Sequence, residues 1–114
     1  MAIDYKDETE GGITSASVLR EPGLYKMWYS HRGAVGYREK ANGYRIGYAE
    51  SPDGIDWTRK DSESGIDVSS DGWDSDMIAY PCVLRYGDEL LLFYNGNGFG
   101  RGGFGYAVAK GKGR

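Results

Sequence analysis

Short apolar runs, each closed by turn-forming residues, follow one another along this chain in an order that occurs twice. Val18-Leu19-Arg20 returns as Val83-Leu84-Arg85. A turn follows in each copy, Glu21-Pro22-Gly23 in the first and Tyr86-Gly87-Asp88-Glu89 in the second. Next come Leu24-Tyr25-Lys26-Met27-Trp28-Tyr29-Ser30 and Glu89-Leu90-Leu91-Leu92-Phe93-Tyr94-Asn95, in register. After a Gly-rich loop the copies resume with Arg45-Ile46-Gly47-Tyr48-Ala49 and Phe104-Gly105-Tyr106-Ala107-Val108. Three short strands in one order, joined by the same turn chemistry, predict an antiparallel meander per copy. Asp56-Trp57-Thr58-Arg59 predicts a fourth strand for the first copy. The second copy ends before one, and Ile3 to Asp7 is the candidate to supply it, in its own chain or a partner's.

The pattern therefore predicts an all-β fold of two four-stranded antiparallel propeller-type blades in a single domain. The first repeat spans about 13–60, a long loop 61–79, the second repeat about 80–109, and a basic tail 110–114. Meanders of about 40–50 residues have the size of a propeller blade, and at least four blades normally close a ring. Two blades left alone would keep apolar faces and strand edges in water. The expectation is a partial β-propeller completed by oligomerisation: a homodimer, with a trimer as the alternative.

Composition supports the β reading, with 19 Gly for tight turns and 10 Tyr and 3 Trp for half-buried pleated surfaces. A net charge of -3 gives no footprint for nucleic acid, and Lys110, Lys112 and Arg114 read as a solvated tail. No apolar run reaches membrane-span length and the acidic start does not read as a signal peptide, so a cytoplasmic location without membrane contact is expected. One Cys and one His offer neither a disulfide nor a metal site, and no cofactor is implied. Cys82 reads as a small buried residue on an inner strand.

Connections in an antiparallel meander alternate between the two ends of its strands. The tight turns therefore share one end, and the long segments Ser30 to Tyr44, Lys60 to Pro81 and Asn95 to Gly103 share the other. Long loops gathered on one end of a rigid scaffold are where binding residues collect. The candidates there are His31, Arg32, Asn42, Asp74, Asp76, Tyr80, Asn95, Asn97 and Arg101. Asn95 to Gly103 is glycine-rich, but a strand follows it where a phosphate loop would lead into a helix, so it reads as a wide turn. Asp67 to Gly72 mimics the start of a calcium loop, yet Ile78 stands where the closing Glu belongs, which leaves a solvated turn. Asp74 and Asp76 beside Trp73 are the candidate catalytic carboxylates, since glycosidic cleavage uses two. Tyr29, Tyr37, Tyr44, Tyr80, Trp28 and Trp73 offer rings for stacking on sugar faces or for packing between blades. Asp53, in Ser51-Pro52-Asp53-Gly54-Ile55-Asp56-Trp57, reads as a turn former similar to the Asp-box turns of propeller blades.

That last segment, extended back to Tyr44, together with Tyr25 to Ser30 and Gly72 to Val83, resembles the five-bladed propeller superfamily of glycoside hydrolases. This group holds the invertase-like, arabinanase-like and mannoside-phosphorylase-like enzymes. The resemblance spans roughly residues 14–109 and fits the last two blades. It implies a site ringed by three carboxylates from the first strands of successive blades. In the invertase-like branch the acid is a Glu directly before Cys-Pro; here Ala79 stands in that place, ahead of Tyr80-Pro81, and Asp76 is the nearby substitute. The departure argues against hydrolysis. The expected function is binding of a carbohydrate or similar polyol at the long-loop face, through Tyr29, His31, Arg32, Trp73, Tyr80, Asn95, Asn97 and Arg101. A glycoside hydrolase or phosphorylase completed across subunits, and a non-catalytic interaction protein, are the alternatives.

Overall fold

A computed structural model describes residues 2–35, 43–101 and 103–110. Tyr37, Asn42, Lys112 and Arg114 fall outside the described residues. The first copy forms β1 (Glu10–Glu21), β2 (Leu24–Gly33), β3 (Arg45–Ser51) and the short β4 (Thr58–Arg59). The second forms β5 (Ala79–Tyr86), β6 (Glu89–Asn95) and β7 (Phe104–Lys110). Both are antiparallel meanders, a four-stranded sheet in the order β1-β2-β3-β4 and a three-stranded sheet in the order β5-β6-β7.

The sequence repeat is also a repeat of register. Val18 lies opposite Met27 as Val83 lies opposite Leu92, and Trp28 opposite Tyr48 as Phe93 lies opposite Tyr106. It extends to an irregularity: the register shifts between Thr14 and Ser17 in one copy and between Ala79 and Cys82 in the other. At the equivalent positions Ser15 and Tyr80 the backbone is left-handed, with φ of 58° and 57°. These are β-bulges, which bend a strand and re-aim a side chain.

The two sheets pack face to face. Trp28, Ile46 and Tyr48 of the first meet Leu90, Leu92 and Tyr94 of the second, with Ile78 wedged among them. The long connection between the sheets is held against this core. Trp28 Nε1 donates to the Ser64 carbonyl (3.2 Å), the Ile78 amide donates to the Tyr44 carbonyl (3.1 Å), and Ile66 and Val68 pack on the cluster. Amides of Val83 and Tyr80 donate to Ser17 Oγ (3.0 Å) and Ser30 Oγ (2.7 Å), which fixes β5 against the first sheet. The far face of the first sheet, with Met27, Tyr29 and Ala49, is covered by Ile3, Ile13 and Trp57.

Two expectations change. Ile3 to Asp7 joins no sheet, because Asp4 and Asp7 carboxylates accept the nearby amides of Tyr5 (2.7 Å) and Thr9 (2.8 Å), a local alternative to a ladder. Cys82 is exposed rather than buried. Burial alternates along β5 with Ala79 and Pro81 inward, which leaves Cys82 on the outer face opposite Phe93. The Ser51–Trp57 segment does close as a turn: Asp53 Oδ1 accepts from the amides of Ile55 (2.8 Å) and Asp56 (2.9 Å), and Gly54 takes a φ of 79°. No helix among the described residues is long and apolar enough to cross a membrane.

Candidate functional site

At the long-loop end, the start of β1, the ends of β2 and β4 and the segment after β4 converge on one buried ionic cluster. Glu10, whose side chain is 1% exposed, accepts two bonds from the Arg59 guanidinium, Nη1 to Oε1 at 2.5 Å and Nη2 to Oε2 at 2.9 Å. Arg59 Nη2 also donates to Asp61 Oδ2 (2.7 Å), and its guanidinium lies 5.3 Å above the centre of the Tyr29 ring. Tyr29 donates its hydroxyl to Asp61 Oδ1, which also accepts from the Tyr48 amide (3.1 Å). His31 stands between the carboxylates, Nδ1 at 3.4 Å from Glu10 and Nε2 at 4.0 Å from Asp61. Gly47 makes room for this, because a Cβ there would lie 2.7 Å from both the Tyr29 ring and Asp61 Oδ1.

Burial alone would raise the pKa of Glu10 and of Asp61, but the Arg59 hydrogen bonds and charge hold both below the ordinary carboxylate values. Burial lowers His31 further than the two carboxylates raise it, so the imidazole is neutral at pH 7. Burial and the Asp61 acceptor raise Tyr29, which keeps its proton. A polar cavity of about 210 Å³ opens over this cluster, lined by Lys6, Thr9, Glu10, His31, Arg32 and Arg45, with the glycines 33 and 43.

The signs give a pH prediction. In the unfolded chain His31 titrates near its ordinary value of about 6.5, and in the fold it titrates lower. Between the two values the unfolded state binds more protons, so stability is complete above the ordinary value and falls as pH drops through this interval. Glu10 and Asp61, also depressed, extend the loss to lower pH in the same direction. The melting temperature should fall steadily on acidification from pH 7, and His31→Gln should flatten the upper part of that profile. A wild-type melting temperature that rises between pH 7 and pH 5 would contradict the assignment.

Beside the cavity lies an aromatic surface. Tyr80, on its left-handed bulge, has its ring centre 6.0 Å from that of Tyr44 and 6.4 Å from that of Phe99. Tyr44 and Phe99 meet edge to face at 5.6 Å. Phe99 also has a left-handed backbone, φ 58°, as does Gly98 before it, within the turn Asn97–Gly100 that the glycine-rich loop forms. Arg45 connects the two features: it lines the cavity, and its Nη1 donates to the carbonyls of Tyr44 (2.9 Å) and Asp76 (3.1 Å).

The remaining candidates gather around the end of the second sheet. Trp73 stacks on Tyr94 at 5.4 Å, and Gly96 and Gly105 lie so close to its ring that a Cβ on either would clash. Asp74 is buried and accepts from the Tyr94 hydroxyl (2.9 Å), which is raised to about 12 by burial and by this carboxylate, while Asp76 is exposed. Asn97 Oδ1 accepts from the amides of Asp76 (2.7 Å) and Met77 (3.2 Å), and its Nδ2 donates to the Gly72 carbonyl (2.9 Å). Asn95 ends β6, Arg101 is exposed just after the Asn97–Gly100 turn, and Arg32 bonds the Gly33 carbonyl (3.0 Å). Tyr29 and His31 thus belong to the ionic cluster, Tyr80 to the aromatic surface, and Trp73, Asp74 and Asn97 to a brace between β6, β7 and the long connection. Glu10, Arg59, Asp61 and Phe99 were not singled out by the sequence. Extending the strand-end argument to the start of β1 and the end of β4 would have found the first two.

No family model matches the chain. Over 105 residues it is 45% identical to Uncharacterized protein Rv1502 and Uncharacterized protein MT1551, from two strains of Mycobacterium tuberculosis; the match covers 89% of this chain and 32% of each relative. The chain thus spans about a third of the length of the curated relatives it matches. Among solved structures, a glycoside hydrolase superposes with a TM-score of 0.74 at 20% identity, over 97% of this chain and 36% of that one. A BT0996 RGII complex superposes at 0.70 with 21% identity, again over 97% and 36%. The fold is that of part of a glycoside hydrolase chain.

Proposed function

We propose that the two sheets are propeller-type blades whose long-loop end binds a carbohydrate or similar polyol. The observation that carries this reading is the surface of Tyr44, Tyr80 and Phe99, two of them held in left-handed backbone. A bulky residue with positive φ costs about 1–3 kcal/mol, and such strain collects at ligand sites. Here it presents two rings at the mouth of a region that also offers the polar cavity of Glu10, His31, Arg32 and Arg45. Aromatic faces suit the apolar faces of sugar rings, while convergent polar groups suit hydroxyls.

Binding without turnover is the better-supported form of this reading. Glycosidic cleavage needs one carboxyl that keeps its proton near neutral pH. Glu10 and Asp61 are instead held ionised by Arg59, against the effect of burial.

The test is Tyr80→Gly. Glycine relieves the left-handed backbone, so the fold should be kept while the ring is lost. Loss of one stacked ring is worth about 0.5–1.5 kcal/mol, up to roughly tenfold in affinity. On a glycan array the wild type should bind and Tyr80→Gly should bind more weakly at an unchanged melting temperature. Absence of wild-type binding to any glycan would favour an interaction protein, and release of product from a bound glycan would favour an enzyme.

A further inference from the structure

The second sheet has an apolar face that no described residue covers. Its centre is Cys82 and Leu84 on β5, Leu91 and Phe93 on β6, and Tyr106 and Val108 on β7, cross-strand neighbours in the ladders. Tyr86 and Phe104 extend it at opposite ends. Phe104 is 72% exposed, Tyr106 62% and Tyr86 73%. The repeat says what such a face does. Phe93, Phe104 and Tyr106 are the register equivalents of Trp28, Ile46 and Tyr48, which in the first sheet are the packing face and lie 3–7% exposed in the core. The second sheet thus carries the same kind of packing face without a sheet against it.

We infer that this face is an interface with a second copy of the chain, the two second sheets packing on each other about a twofold axis. The far face of the first sheet, which a head-to-tail stack would need, already has its Met27, Tyr29 and Ala49 covered by Ile3, Ile13 and Trp57. An open stack is therefore disfavoured, and the uncovered face is left to meet itself in a closed, isologous pair. Aromatic side chains present roughly 150–250 Å² each, so Tyr86, Phe104 and Tyr106 alone leave roughly 400 Å² of largely apolar surface per chain. That is about half of the ~800 Å² per partner in a stable interface, and Leu84, Leu91, Phe93 and Val108 extend it. Charge does not oppose the contact, since Glu89 is the only carboxylate that the described residues of these strands place on this face, and it lies at the rim.

Sedimentation equilibrium at micromolar concentration should give twice the monomer mass for the wild type. Phe104→Glu with Tyr106→Glu should give the monomer mass with an unchanged far-ultraviolet circular dichroism spectrum, because both side chains stand in solvent in the single chain. Cys82 is a built-in reporter: its alkylation should be slow in the wild type and fast in the double variant. A wild-type monomer at these concentrations would overturn the inference and assign the face to another polypeptide. A dimer that survives the double substitution, with Cys82 equally reactive in both proteins, would overturn it by placing the contact elsewhere.

Discussion

Replacing Arg59 with alanine should lower the stability of the fold by about 3–5 kcal/mol, the cost of stranding a buried charge. Glu10 is the charge stranded: its side chain is 1% exposed, and both of its oxygens rest on the guanidinium. Asp61 loses the same partner, and the Tyr29 ring loses the cation above it. Set against a total of about 5–15 kcal/mol for a domain, the loss is large. The pair itself need not be a net gain over an apolar pair, for Arg59 Nε is buried without a hydrogen-bond partner among the described residues. Glu10→Gln combined with Arg59→Met should therefore recover most of what Arg59→Ala loses. Urea denaturation of the three variants measures this directly. A loss below about 1 kcal/mol for Arg59→Ala, the range of an exposed ion pair, would mean that water reaches Glu10.

The sequence predicted the meanders well because their signals are local. A turn residue closes each apolar run, and the run repeats, so the strands and their order could be read directly. Sorting the loops by strand end also placed His31, Arg32 and Tyr80 at the end where the cavity and the aromatic surface lie. The ionic cluster was not legible in the same way. Glu10 and Arg59 are 49 residues apart, on the two edge strands β1 and β4, and meet only once the four-stranded sheet has formed. The bulges were hidden too, since a left-handed Ser15 or Tyr80 is set by the surrounding ladder and leaves no residue signal of the kind glycine gives. Cys82 was expected inside because a free cysteine is among the most buried residue types, whereas the ladder sets it opposite Phe93 on the outer face.

Ile78→Ala should lower stability by about 2–5 kcal/mol, the range for truncating a fully buried aliphatic side chain that leaves a cavity. Ile78 is 0% exposed and sits where Trp28, Ile46 and Tyr48 meet Leu90, Leu92 and Tyr94. It is supplied by the long connection and by neither sheet, and its amide bond to the Tyr44 carbonyl holds it in place while the surroundings resist collapse. Because the main core belongs to both sheets, the lost packing should weaken both at once. Unfolding should remain a single transition, shifted to lower urea, with tryptophan fluorescence and far-ultraviolet circular dichroism in coincidence. Trp28 and Trp57 report on the first sheet and Trp73 on the second, so independent melting of the two would separate the signals. Separate transitions in Ile78→Ala would show that each sheet holds its own fold, and the shared core would then be an interface between two stable units.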